Sequence, residues 1–480
     1  MTDDDLLYLP ATELRARYTA REVSPVEAVT AVIRRTESVG GHVNAFAEER
    51  FDEALAEASA AEERYRDGTA RPLEGLPVAL KEEQPIAGLP LREGSALLAG
   101  SIAAETHPIV PRIRAAGGIV HARTTTPEFC AAGFTQTEMW GVTRTPWNTA
   151  YSSGGSSGGS GAALAAGTTA LATGSDIGGS IRIPAAFNGV VGYKPPYGRV
   201  PALHPYNLDH YCHDGPMART VADCALLTNV IAGRHPGDPV SVPFATPIPE
   251  TLAPVAGRRV ALCVHLGDYP VAADVEARVR EAAAALADAG AAVTEIELPW
   301  SRAELMRAAW AHYGAIFAPL VREVMAEHGD GILGYTRDFV ERAEAAYRRD
   351  GFYAALRTEG RVHADLAAVF AEHDALICPT SGVPAFPAGD DLLGGRLSVD
   401  GAEWRFAHNL EVPLCVPFNM ASRCPVISVP AGLAANGVPV GLQVAGRPYD
   451  DTTVFEVAAA VQAAHPWYTD PSWRPALTAA

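Results

Sequence analysis

The sequence predicts an α/β fold, and three observations carry that expectation. From Leu76 onward short apolar runs alternate with helical stretches, residues 11–66 are rich in alanine and valine among scattered charges, and Arg259 to Ile296 reads as strand, helix, strand. With 480 residues, 48% hydrophobic and 20% charged, the chain has ample material for a large core. No Pro/Ser-rich linker or charge block divides it, so a single domain over 1–480 is expected, with N-terminal helices (about 11–66) and an elaborated second half (about 240–400).

The first helix start is explicit. Ser24 stands as an N-cap, Pro25 takes the first helical position where its missing N–H costs nothing, and Glu27 completes a capping box. A second helix is expected from Glu53 to Arg66, its charges left for solvent. Strands follow at Val78–Leu80 before Lys81, at Gly118–Ala122 before Arg123 and at Ala170–Thr173 before Gly174. Further on come a strand at Arg259–Val264, a helix at Val275–Ala289 and a strand at Ala292–Ile296. A long helical region to about Ala371 precedes two more strands, Ala375–Cys378 and Val426–Val429.

Composition excludes several classes. A formal net charge of -18 opposes general affinity for nucleic acid or anionic membrane. Met1-Thr2-Asp3-Asp4-Asp5 carries neither a basic nor an apolar signal region, and no window approaches the roughly 18 apolar residues of a membrane span, so a cytoplasmic protein is expected. Seven cysteines without CxxC pairing read as reduced thiols.

The chemistry concentrates in two runs, Gly154-Gly155-Ser156-Ser157-Gly158-Gly159-Ser160-Gly161 and Gly174-Ser175-Asp176-Ile177-Gly178-Gly179-Ser180-Ile181-Arg182. Glycines let the backbone turn sharply, so two such segments a helix apart can converge their hydroxyls on one point, and no packing requirement would concentrate small residues and hydroxyls in this way. A flexible linker would not be followed by Ala162-Ala163-Leu164-Ala165-Ala166 and a second glycine turn. The G-x-S-x-G elbow around Ser156 lacks a preceding strand, since Thr145 to Tyr151 is loop-like, and a P-loop would need Gly-Lys-Ser/Thr.

Together with Lys81, Thr126-Pro127-Glu128-Phe129, Gly192-Tyr193-Lys194-Pro195 and Gly437-Val438-Pro439-Val440-Gly441-Leu442-Gln443, these motifs resemble the amidase signature family over most of the chain. The resemblance implies a mixed sheet wrapped by helices, a site at loops leaving the sheet, and a Ser-Ser-Lys triad that cleaves amides through an acyl-enzyme. It makes Ser180 the nucleophile, Ser156, after a cis peptide, the proton relay, and Lys81 the base. It gives the oxyanion hole to the backbone N–H groups of Ile177, Gly178, Gly179 and Ser180, and it leaves Asp176 and Arg182 to hold the loop. No cofactor and no metal is implied, and the expected partner is a small-molecule amide. The oligomeric state stays open, a homodimer included. Two alternatives stand beside this: a glutaminase subunit of a tRNA-dependent amidotransferase, and a non-catalytic member of the fold.

A lysine at about pKa 10.4 is almost wholly protonated at neutral pH, so a basic Lys81 needs surroundings that lower its pKa. The family usually carries Asp after this lysine, whereas here Glu82 and Glu83 follow, and their side chains are expected to point elsewhere. His204, His210, Cys212 and His213 form a loose cluster whose spacing fits no standard metal pattern; the last three lie in a segment, 208–214, longer than the family's. Trp310, Tyr313, Phe317 and Tyr335 are either an apolar acyl pocket or plain core.

Overall fold

Eleven strands form one mixed sheet in the computed structural model, which describes residues 2–243 and 246–477; Met1, Phe244, Ala245 and 478–480 lie outside the described residues. In chain order the strands are β1 (Phe46–Glu49), β2 (Pro77–Lys81), β3 (Ile119–Thr124), β4 (Leu171–Asp176), β5 (Val191–Lys194) and β6 (His213–Ala218). They continue with β7 (Arg259–Leu262), β8 (Ala292–Glu295), β9 (Ala375–Pro379), β10 (Val426–Leu433) and β11 (Pro439–Gly446). Their order across the sheet is β1-β3-β2-β4-β6-β5-β10-β11-β9-β7-β8. β2 runs parallel to both β3 and β4, β9 and β8 run parallel to β7, and the remaining pairings are antiparallel.

The expected α/β class with a mixed sheet is what the chain forms. Ser24 accepts from the Glu27 N–H while the Glu27 side chain accepts from Ser24, so the capping box closes at the head of the helix Pro25–Val43. The helix expected from Glu53 is Phe51–Asp67, ending at Gly68 in the left-handed conformation. The strand-helix-strand unit is β7, the helix Ala273–Asp288 and β8. The long helical region resolves into Arg302–His328, Gly334–Asp350 and Phe352–Glu372, broken at Gly329 and Gly351, both with positive φ.

β1, β5, β6 and β11 were not expected as strands. β6, His213-Asp214-Gly215-Pro216-Met217-Ala218, is a poor strand by propensity, but its backbone is paired to β4 and β5 on either side and it is wholly buried. The middle strands β2, β4, β5 and β11 are likewise almost entirely buried, as expected for a sheet covered on both faces. Among the described residues no helix is long and apolar enough to cross a membrane.

Candidate active site

The parallel neighbours β2 and β4 position the site. Both end at the same edge of the sheet, so the last residue of β2, Lys81, and the last two of β4, Ser175 and Asp176, are delivered side by side. Lys81 is fully buried, and its Nζ lies 2.6 Å from Ser156 Oγ and 2.8 Å from Ser175 Oγ.

Ser156 arrives from the first glycine run, behind a cis Gly155–Ser156 peptide. The run is no loose turn: Gly158–Ala165 is a buried helix. A Cβ on Gly155 would meet the Phe134 carbonyl and stand 2.6 Å from that of Ala132, and one on Gly159 would be 2.5 Å from Thr125 N. Packing therefore requires these glycines, which corrects the expectation that only chemistry explains them. No strand of the sheet leads into Ser156, so the elbow geometry is absent.

Ser180 is buried between the end of β4 and the helix Arg182–Asn188, and its carbonyl accepts the Ser157 N–H at 3.1 Å, which sets the second serine motif against the first. Asp176 organises the intervening loop. Its Oδ1 accepts the Gly179 N–H at 2.8 Å and its Oδ2 accepts the Ile181 N–H at 3.2 Å. Of the four expected oxyanion donors, the Gly179 N–H is thus engaged by Asp176, while the N–H groups of Ile177, Gly178 and Ser180 have no acceptor among the described residues. Gly179 itself has φ +118 and a Cβ there would press on Cys415, so the turn admits glycine alone.

The Arg182 guanidinium grips Asp176 through Nε at 3.0 Å and Nη2 at 2.9 Å, and also donates to the Cys415 carbonyl, Gln443 Oε1 and Asn419 Oδ1. Asn419 Nδ2 in turn reaches Asp176 Oδ1 at 2.9 Å. Burial works against ionisation of Asp176, but the Arg182 charge and these hydrogen bonds outweigh it and hold its carboxyl well below the usual range. Asp176 and Arg182 thus shape the loop, as expected.

The surroundings of Lys81 differ from the expectation. Glu82 does point elsewhere, accepting the N–H groups of Arg92 and Glu93 at 2.7 and 2.9 Å. Glu83 does not: its Oε2 stands 3.2 Å from Lys81 Nζ and accepts Cys130 Sγ–H at 2.5 Å. Burial tends to lower the Lys81 pKa, while the Glu83 carboxyl group beside the amine works to raise it. Burial, and the nearby Glu83 carboxyl group, push the Cys130 thiol well above its ordinary value, so it keeps the proton that it donates to Glu83.

The expected histidine cluster is dispersed. His204 pairs with Asn207, Cys212 with Asp209, and His213 with the carbonyls of Tyr211 and Ser422. His210 instead joins two residues far along the chain, His312 and Glu359, in the one set among the described residues with metal-ligand proximity. Its other atoms are engaged, but His312 Nδ1, 3.5 Å from Glu359 Oε1, makes no hydrogen bond among the described residues. His312 Nε2 is 2.7 Å from Asp209 Oδ1, and Glu359 receives His210 Nε2 at 3.0 Å and Tyr211 OH at 2.8 Å. Burial opposes a charge on His312, but Asp209 and Glu359 raise its pKa to about 9, making it an imidazolium brace between the 208–214 segment and the helical half.

Of the four aromatics, Tyr313 reaches the site: its OH donates to the Ile177 carbonyl at 3.1 Å. Trp310 and Phe317 pack around Phe339 behind it. Tyr335 OH is spent on Glu128 N and the Gln136 carbonyl, a structural role. Ser175, Cys130 and Asn419 were missed by the sequence reading. Ser175 was findable as the penultimate residue of a strand parallel to that of Lys81, whereas nothing local marks Cys130 or Asn419.

Comparison with known proteins gives one consistent picture. The profile of the family described as Amidase matches residues 27–455. An acylamidase of Rhodococcus erythropolis is 34% identical over 97% of this chain and 98% of its own length. A glutamyl-tRNA(Gln) amidotransferase subunit of Chloroflexus aggregans is 33% identical, with the same coverage of 97% and 98%. Among solved structures, a bacterial aryl acylamidase of the amidase signature enzymes superposes with TM-score 0.89 at 27% identity, covering 98% of this chain and 99% of that one. A 6-aminohexanoate cyclic dimer hydrolase does so with TM-score 0.83 at 29% identity, covering the same 98% and 99%.

Proposed function

The chain belongs to the amidase family, and from that premise we propose that it is an amide hydrolase working through a Ser180–Ser156–Lys81 triad and an acyl-enzyme. The observation that carries the reading is the buried Lys81 amine within 2.6 Å of Ser156 Oγ, beside a loop holding Ser180 and three unengaged N–H groups.

Amides resist attack because the carbonyl is resonance-stabilised and the amine leaves poorly. In its neutral form Lys81 takes the Ser156 proton while Ser156 takes that of Ser180, and Ser180 Oγ attacks the carbonyl carbon. The oxyanion that forms is met by the N–H groups of Ile177, Gly178 and Ser180, each such donor lowering the barrier by on the order of 3 kcal/mol. The proton returns along the same path to the departing amine. Water then repeats the sequence on the acyl-enzyme and releases the acid.

The similarity to a tRNA amidotransferase component supports a second reading, in which glutamine is the amide and partner chains take the ammonia. Against it stands a net charge of -18, which offers no footprint for tRNA. A panel of aryl, alkyl and glutamine amides on the purified chain decides between them. Turnover of simple amides without partners, lost by more than about 1,000-fold in Ser180→Ala, is expected. Turnover of glutamine alone, and only with added partner chains, would place the second reading first.

A further inference from the structure

Lys81 has more partners than a relay to Ser156 requires. A protonated lysine carries three N–H donors, and three acceptors surround this one: Ser156 Oγ at 2.6 Å, Ser175 Oγ at 2.8 Å and Glu83 Oε2 at 3.2 Å. The neutral amine has two N–H groups and one lone pair. If Ser175 and Glu83 take the two N–H groups, the lone pair is left facing Ser156.

We propose that Glu83 is a positioning residue of the amidase reaction, acting through Lys81: it aims the neutral amine at Ser156 and its carboxylate holds the ammonium formed when that amine accepts a proton. Aspartate beside histidine does the equivalent in Ser-His-Asp enzymes, orienting the base and stabilising its cation without taking the proton. In the step, the Ser156 O–H bond breaks as an N–H bond forms on Lys81, the Ser180 proton moves to Ser156, and the Ser180 electron pair forms the C–O bond. Glu83 keeps its charge throughout. The inference rests on the proposed triad.

Several details separate Glu83 from its neighbours. Glu82 is tied to the backbone of Arg92 and Glu93 and lies 3.9 Å from Arg123, so it is unavailable to Lys81. Cys130, on the segment facing the end of β2, donates its S–H to the Glu83 oxygen that contacts the lysine, fixing that oxygen in place. The other charged groups close by are Asp214, held by His107 at 3.3 Å and Gln84 at 2.6 Å, and Glu93. Burial together with Glu82 and Glu83 pushes Glu93 up to about 8, so it titrates in the working range and needs its own control.

The test is the pH dependence of kcat/KM for amide hydrolysis by the purified chain, wild type against Glu83→Gln, Glu83→Asp and Glu93→Gln, with Lys81→Ala as reference. Glu83→Gln removes the counter-charge, so the acidic limb is expected to move to lower pH by about one unit or more while the alkaline plateau falls about tenfold or more. Glu83→Asp is expected to move the limb the same way by less, which keeps the test open should the glutamine variant fold poorly; Glu93→Gln is expected to leave the limb in place. A uniform fall with an unmoved limb in both Glu83 variants, or a shift produced equally by Glu93→Gln, overturns the proposal. Retained activity in Lys81→Ala would instead sink the triad itself, so the two failures are distinguishable.

Discussion

At the scale of single residues, the site is built from side chains whose smallness or charge is fixed by what touches them. Gly155 shows this best. A methyl group there collides with backbone carbonyls at 132 and 134, and backbone cannot swing aside as a side chain can. Gly155→Ala is therefore expected to destabilise the protein by about 2 kcal/mol or more and to abolish activity, read as a lowered urea midpoint alongside lost turnover. Wild-type stability with wild-type rate would show that the backbone yields there. The two serine runs stood out in the sequence because hydroxyls set among glycines are chemically unusual, and the resemblance to the amidase signature family is what singled out Ser156 and Ser180 within them. The direction of Glu83 was not legible, because it follows the end of β2, where strand alternation no longer dictates a face; nor was the engagement of the Gly179 N–H by Asp176, which depends on a turn rather than on a residue type.

At the scale of elements, the helix Arg302–His328 couples the second half of the chain to the Ser180 loop through adjacent residues, Tyr313 on the Ile177 carbonyl and His312 between Asp209 and Glu359. The His312 pKa is raised from 6.5 to about 9, so its stabilising contribution is fully present below about pH 6.5 and is lost as pH climbs through about 9. That contribution is on the order of 3 kcal/mol. Urea unfolding at several pH values from 6 to 10 is expected to show wild-type stability declining across that window, and His312→Gln is expected to be destabilised at pH 6 and to lack the decline. Parallel curves for the two proteins would refute the brace. Elements with strong patterns, such as the capped helix at Pro25 and the β7–helix–β8 unit, were readable in advance. β6 was not, since Asp214, Gly215 and Pro216 argue against a strand and only pairing with β4 and β5 overrides them.

At the scale of the molecule, the sheet brings residues from the whole length of the chain to one place. Lys81 comes from β2, Ser175 from β4, Asn419 from just before β10 and Gln443 from β11, and the Arg182 guanidinium bonds the last two along with Asp176. Motif spacing announced the two serine segments, whereas the order β2-β4-β6-β5-β10-β11, which makes distant residues neighbours, is not written in any local pattern. The central claim is that this convergence makes Ser180 the nucleophile. Reaction with a fluorophosphonate, followed by digestion and mass spectrometry, tests it most directly. The account predicts a single adduct on Ser180, absent in Ser180→Ala and strongly slowed in Lys81→Ala; an adduct on Ser156, or unmodified Ser180 in enzyme that the reagent has inactivated, would contradict it.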